Sequence, residues 1–176
     1  MSVPADRRAA VRARFAGCCG YCGVAETDIG NELEIDHYRP RVHGGGNEPD
    51  NLIYTCPACN RFKSAYWPSY DAPDDLRLLN PNRDDLRAHI DETVSGRLVG
   101  LTLRGWFHIR WMHLNRPLLV ALRQRQQRAQ LITEGLTQAQ ATAALLQQRV
   151  ATLERELANL RATVERLTGL SEDTQG

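Results

Sequence analysis

The sequence predicts an α+β protein: a β-hairpin and a helix flanked by two Cys-x-x-Cys pairs, then a small α+β extension, then a long C-terminal helix. Three observations predict this order. Two short β-forming runs separated by turn residues lead into a helical segment between positions 33 and 63. Alternating runs surround a Ser-Gly turn at position 95, and apolar heptads occupy positions 132–167. We place the three segments at residues 1–69, 70–122 and 123–170.

Length and composition limit the class of protein. A chain of 176 residues has room for one ordinary domain and an appendage, and 24% charged with 42% apolar residues is typical of soluble proteins. No apolar run has the length of a membrane span, and no apolar segment follows the N-terminal charges, so we expect a cytoplasmic protein. The net charge of +1 excludes a polycation, so any attraction for nucleic acid must come from local clusters of basic residues.

The N-terminal segment, residues 4–15, is rich in Ala and Arg and carries Val11 and Phe15 four positions apart. This spacing predicts a short amphipathic helix. Its arginines form either a solvated face or an edge that contacts phosphate.

Two cysteine pairs flank the hairpin. They are Cys19 with Cys22, and Cys56 with Cys59. Such pairs are typical of tetrahedral Zn²⁺, and four thiolates leave no open coordination position, so the predicted zinc is structural. Disulfides are disfavoured because the sequence shows no secretory signal. Cys18 has the wrong spacing for this set and is interpreted as a spare thiol.

Three polar residues of the hairpin and helix offer different chemistry. Asp36 supplies an anionic oxygen, His37 an imidazole that can accept a proton, and Asn60 a neutral amide oxygen. Oxygen ligands suit Mg²⁺, which needs only one or two of them beside a phosphate. Adjacent strand residues point to opposite faces, so Asp36 and His37 share a site only if the strand bends. Singly, each residue is equally typical of a turn or a helix surface, but their combination between two cysteine pairs favours a site.

Residues 15–68 resemble the HNH endonuclease family. Its ββα-metal fold carries Asp-His on the first strand, Asn at the start of the second, and His or Asn on the helix. The resemblance implies that Asp36 and Asn60 hold a catalytic Mg²⁺ or Mn²⁺, that His37 is the general base, and that Asn51 fixes the loop that orients His37. It implies an endonuclease acting on DNA, with RNA left open. The Asn60 variant leaves the choice of metal open.

Basic residues flank the predicted metal site, and we expect them to contact phosphate without reading bases. They are Arg39, Arg41, Arg61 and Lys63, the last being the only lysine among 22 basic residues. A competing interpretation is a zinc module that binds nucleic acid or a partner without catalysis.

The extension is predicted to contain a second hairpin, with strands at 89–94 and 98–103, and a helix through Trp106 to Leu114. Asn115 resembles an N-cap for a helix with Pro117 in its first turn. The motifs Leu-Asn-Pro and Leu-Asn-Arg-Pro resemble the tail that follows the HNH core in nucleases of Septu-type and retron-linked antiphage systems. That resemblance implies an ATPase partner as an alternative setting.

The C-terminal heptads predict a coiled coil that joins two copies in parallel. The a positions are Leu136, Ala143, Val150, Leu157 and Val164, and the d positions are Ile132, Ala139, Leu146, Leu153, Leu160 and Leu167. A parallel pair sets Arg149 against Glu154 and Glu156 against Arg161, both of opposite sign. The alternatives are an antiparallel hairpin with a helix over 118–130, and a coil with a different protein.

Overall fold

The computed structural model describes residues 3–169. Its helices and strands follow in the order α1 Ala5–Arg14, α2 Glu26–Ile29, β1 Glu34–His37, β2 Leu52–Thr55, α3 Pro57–Lys63, β3 Ile90–Glu92, β4 Leu98–Gly100, α4 Leu103–Trp111 and α5 Pro117–Thr168. Single 3₁₀ turns lie at Arg41–His43, Pro49–Asn51, Asp74–Leu76 and Leu86–Ala88. The predicted α+β class and long C-terminal helix are confirmed.

The first hairpin and its helix form the centre of the fold. β1 pairs antiparallel with β2, and Asp36 lies opposite Ile53. All four residues of β2 are buried, which supplies the apolar face on which neighbouring elements pack. The α1 helix contributes its buried Val11 to the same core. α3 begins where the second cysteine pair turns, because Cys56 Sγ accepts the Cys59 amide at 3.4 Å and Pro57 fits the first helical position.

The extension carries the predicted second hairpin in a shorter form. β3 and β4 pair antiparallel with Asp91 opposite Val99. Thr102 ends the predicted strand early because its side chain accepts the Gly105 amide at 3.0 Å and caps α4. The imidazole of His108 on α4 accepts the Leu79 amide at 3.0 Å.

The prediction that Asn115 caps the last helix is wrong. Pro117 is the first residue of α5, so Asn115 lies too early to reach the helix amides. Its side chain instead accepts the Leu98 amide at 2.7 Å and donates to the Leu98 carbonyl at 2.8 Å. Asn115 therefore anchors the segment before α5 to strand β4.

Two compact units divide the chain, one ending at Gln127 and the other beginning at Arg128. The first contains both hairpins, so residues 1–69 and the extension share one unit. The second consists of the remainder of α5 as far as it is described. Because α5 is continuous from Pro117 to Thr168, the alternative of an antiparallel hairpin with a separate helix over 118–130 is excluded. Among residues 3–169, no helix has the length and hydropathy needed to cross a membrane.

Candidate active site and zinc centre

The four predicted cysteines come together. Their Sγ atoms lie within 4.8 Å of one another, and Cys18 is outside the group. The Cys22 and Cys56 sulfurs are 3.8 Å apart, which equals the edge of about 3.8 Å of a tetrahedron with metal–sulfur bonds of about 2.3 Å. The donor set and its spacing therefore fit Zn²⁺.

The four thiols differ in how readily they ionise, because hydrogen bonds from the other cysteines raise the pKa of Cys22 and Cys59 above the ordinary value. Hydrogen bonds from Cys22, Cys56 and Cys59 lower the pKa of Cys19 well below its ordinary value. Metal binding requires thiolates, so a thiol that ionises readily favours the first metal–sulfur bond. The first pair is held to the hairpin because the Gly20 amide donates to the Tyr54 carbonyl at 2.8 Å.

A second site lies at the end of β1. Asp36, His37 and Asn60 line a cleft of about 320 Å³. Arg41 lines the same cleft. The three residues that the sequence selected for catalysis thus share one concave surface, although two of them are neighbours on a strand. They can do so because β1 ends at His37 and the chain turns there.

The Asp36 carboxylate is held from two sides. Only 7% of the residue is exposed. Its Oδ2 accepts the Tyr21 hydroxyl at 2.9 Å and lies 3.1 Å from Lys63 Nζ, and its Oδ1 lies 3.3 Å from the same ammonium. Burial raises the pKa of Asp36, and the Lys63 ammonium acts in the opposite direction. A carboxylate offers about four acceptor sites, so these three contacts leave one on Oδ1.

The prediction that Lys63 contacts phosphate is wrong, because its side chain is fully buried. Asn60 and Lys63 are three positions apart on α3, so both face β1. The ammonium donates to the His37 carbonyl at 2.7 Å in addition to its contacts with Asp36. Burial lowers the pKa of Lys63, and the Asp36 charge opposes that shift. A buried lysine cannot contact phosphate, so Lys63 is an internal ion-pair partner.

His37 is oriented by a residue that the sequence did not indicate. Its Nε2 lies 2.8 Å from the side-chain oxygen of Asn47. An amide oxygen only accepts, so this contact is a hydrogen bond in the tautomer with the proton on Nε2, which leaves Nδ1 as the basic nitrogen. The Asn47 carbonyl in turn accepts from Arg7 Nη1 at 2.7 Å, which ties the loop to α1. No spacing rule marks Asn47, because the contact depends on how the loop folds back.

Asn51 closes the same loop. Its side-chain oxygen accepts the Arg39 amide at 2.7 Å, and its Nδ2 donates to the Gly46 carbonyl at 2.8 Å. The turn is so tight that a Cβ atom on Gly45 would lie 1.7 Å from the Arg39 carbonyl oxygen. These contacts connect the two ends of the loop that carries Asn47.

Asn60 pairs with a second carboxylate on β1. Its Nδ2 donates to Glu34 Oε2 at 2.6 Å. Glu34 and Asp36 are two positions apart on a strand and share a face. The bond engages the nitrogen of the Asn60 amide and so fixes the orientation of that amide. Alternation along β1 was the signal that could have indicated Glu34.

The three arginines that were predicted beside the site are exposed. Arg39 donates to the His43 carbonyl at 2.7 Å and lies over the Trp67 ring at 5.5 Å. Arg41 lies in the cleft, and Arg61 is on the outer side of α3. Of the three arginines, Arg41 is the one that lines the cleft with Asp36, His37 and Asn60.

Comparison with known families agrees with this geometry. Residues 19–65 match the family described as HNH endonuclease. They form an HNH domain. The match begins at the first zinc-site cysteine and ends in the cleft at Ala65, so it contains the hairpin, α3 and all three cleft residues.

A curated relative extends beyond the HNH domain. The Septu protein PtuA of Bacillus mycoides (strain KBAB4) is 28% identical in an alignment of length 137. This alignment covers 62% of this chain. The aligned part makes up 19% of that protein, so this chain corresponds to about a fifth of its length. The similarity supports the resemblance of the tail to Septu proteins.

Proposed function

We propose that the protein is a metal-dependent HNH endonuclease that hydrolyses phosphodiester bonds in DNA. The observation that carries the proposal is the shared cleft of Asp36, His37 and Asn60 within the HNH domain. The cleft brings together the carboxylate of Asp36, the imidazole of His37, which is held by Asn47, and the amide oxygen of Asn60. This is the set of groups that a hydrolytic site for phosphodiesters needs.

Asp36 and Asn60 are the proposed ligands of a catalytic Mg²⁺ or Mn²⁺. The remaining acceptor site on Asp36 Oδ1 and the Asn60 oxygen supply hard oxygen donors. The proposed site therefore offers two protein ligands. That suits Mg²⁺, which keeps its waters and completes its shell with substrate phosphate. When bound, the metal would stabilise developing negative charge on the phosphate.

His37 is the proposed general base. With Nε2–H held by Asn47, Nδ1 is the atom that takes a proton from the attacking water. Asn51 maintains the loop through its bonds to Arg39 and Gly46, and so acts through Asn47. Arg41 lies where a guanidinium would orient the phosphate.

A plasmid assay tests the activity. Supercoiled DNA incubated with zinc-loaded protein is expected to be nicked with Mg²⁺ or Mn²⁺ and to stay intact when EDTA is added without stripping the zinc. Parallel single-stranded RNA and DNA oligonucleotides decide the substrate. Binding without cleavage under every metal would favour the non-catalytic zinc module.

A role in antiphage defence is the biological setting that we propose, because the chain is similar to a Septu protein over 62% of its length. Within this setting the nuclease is a subunit that an ATPase partner controls. If the isolated protein does not cleave DNA but cleaves it after co-purification with an ATPase, the result would support control by that partner.

We also propose a parallel homodimer through α5. The heptad leucines beyond Arg128 are exposed in the single chain, from Leu153 at 47% to Leu167 at 82%. Exposed leucine seams of this length are typical of coiled coils, and the opposite charges at the g and e positions favour a second copy as partner. Sedimentation of the full chain at micromolar concentration tests it, since a monomer would indicate a partner of another sequence.

A further inference from the structure

One guanidinium lies against the cysteine cluster. Arg116 Nη2 is 3.6 Å from Cys59 Sγ and 3.9 Å from the sulfurs of Cys22 and Cys56. The side chain is held in this place by the face of Phe62, 5.5 Å from its guanidinium carbon. Arg116 is 57 positions from Cys59 along the chain, so the contact is purely tertiary.

The guanidinium of Arg116 compensates negative charge at the cysteine cluster. Four thiolates around Zn²⁺ carry a net charge of −2, and three of the cysteines are almost fully buried at 0–4% exposure. An uncompensated charge in such surroundings is costly, and the cost falls when an opposite charge lies within hydrogen-bond distance. A guanidinium suits this task because it stays charged and presents several donors in one plane.

We propose that Arg116 is a positioning residue of the zinc centre. The two N–H groups of its Nη2 are shared among the sulfurs of Cys22, Cys56 and Cys59, with Cys59 the nearest at 3.6 Å, and its charge neutralises half of the charge of the zinc–thiolate group. Zinc release is slowed, because a thiolate that keeps its hydrogen bond is less readily protonated or captured by a competitor.

The other residues of the Leu-Asn-Arg-Pro motif hold Arg116 in place through contacts with the core and with β4. Leu114 enters the core at 1% exposure, and Asn115 pairs with the Leu98 backbone. Arg123 donates to the Leu114 carbonyl at 2.9 Å and contacts Asn115 Oδ1 at 3.3 Å. The motif therefore fastens the start of α5 to the extension on one side and, through Arg116, to the zinc centre on the other.

Zinc release from the full-length, zinc-loaded protein tests the inference. Excess of a chromogenic chelator, 4-(2-pyridylazo)resorcinol, reports the release rate for the parent and its variants. Arg116→Met keeps the aliphatic contact with Phe62 and removes the charge, so it should release zinc roughly 10- to 100-fold faster. Arg116→Lys keeps the charge and should fall between Met and the parent. Arg110→Met, on the exposed surface of α4, is the matched control and should behave as the parent.

A second readout separates charge from packing. In Co²⁺-loaded protein the thiolate-to-cobalt absorption should shift in Arg116→Met and much less in Arg116→Lys. If Arg116→Met does not fold, Arg116→Gln replaces it, with the same expected order against Arg116→Lys. Release from the uncharged variant at the parent rate, or equal rates for the Lys and uncharged variants, would overturn the inference.

Discussion

The buried ion pair between Lys63 and Asp36 makes the strongest stability prediction. Lys63→Met removes the ammonium but keeps most of the side-chain volume. Asp36, at 7% exposure, then has no cation beside it, and the His37 carbonyl loses a 2.7 Å hydrogen bond. Loss of one member of a buried pair costs about 3–5 kcal/mol. We expect Lys63→Met to lower the free energy of unfolding by that amount.

Urea unfolding of zinc-loaded protein, followed by circular dichroism, measures the effect. Arg83→Met is the control, since Arg83 and Asp50 form an ion pair at 3.4 Å with both side chains more than 60% exposed. That pair should contribute below about 1 kcal/mol. Adding Asp36→Asn to Lys63→Met should recover part of the loss, because the unpaired charge is removed. A Lys63→Met protein as stable as Arg83→Met would refute this account of the ion pair.

Three further predictions concern the base, the core and the assembly. Asn47→Ala should slow cleavage roughly 10-fold, the equivalent of one hydrogen bond of about 1.4 kcal/mol, with unchanged zinc content; a full-rate variant would show that Asn47 does not orient His37. Burial, with Arg104 nearby, lowers the pKa of His108 to about 3. The pKa in the unfolded state is about 6.5, so between these two values only the unfolded state gains the proton, and stability falls as the pH is lowered. Between pH 5 and 6, His108→Asn should reduce that slope by about 1.2 kcal/mol per pH unit in urea titrations, and an unchanged slope would contradict the burial argument. Reversing both g-position charges, with Arg149→Glu and Glu156→Arg, should weaken the homodimer in low-salt sedimentation, and reciprocal changes at positions 154 and 161 should restore it; no change in either variant would exclude the parallel register.

Sequence patterns predicted those features that are defined by both residue type and spacing along the chain. The cysteine pairs, the turn-rich hairpin and the heptads each follow from local rules, and the structure contains the clustered cysteines, both hairpins and the long helix. Asp36, His37 and Asn60 were selected by residue type and order, and all three line one cleft.

Tertiary contacts account for what the sequence did not show. The burial of Lys63 depends on which face of α3 packs against β1, and its charge favoured a surface position. The contacts of Asn47 and Arg116 join residues through loop closure and long-range packing, for which the sequence has no periodic signal. The prediction for Asn115 was wrong because a cap-forming residue two positions before a proline is often a helix start, whereas here its amide pairs with the backbone of Leu98 on β4.

Single-turnover cleavage by His37→Ala, with and without added imidazole, tests whether the His37 cleft hydrolyses phosphodiester bonds. We expect the variant to remain folded and zinc-loaded, to cleave roughly 10²- to 10⁴-fold more slowly, and to recover part of the rate when imidazole supplies the missing base. His43→Ala, an exposed histidine of the same loop, should cleave as the parent does. Parent-like cleavage by His37→Ala would contradict the account.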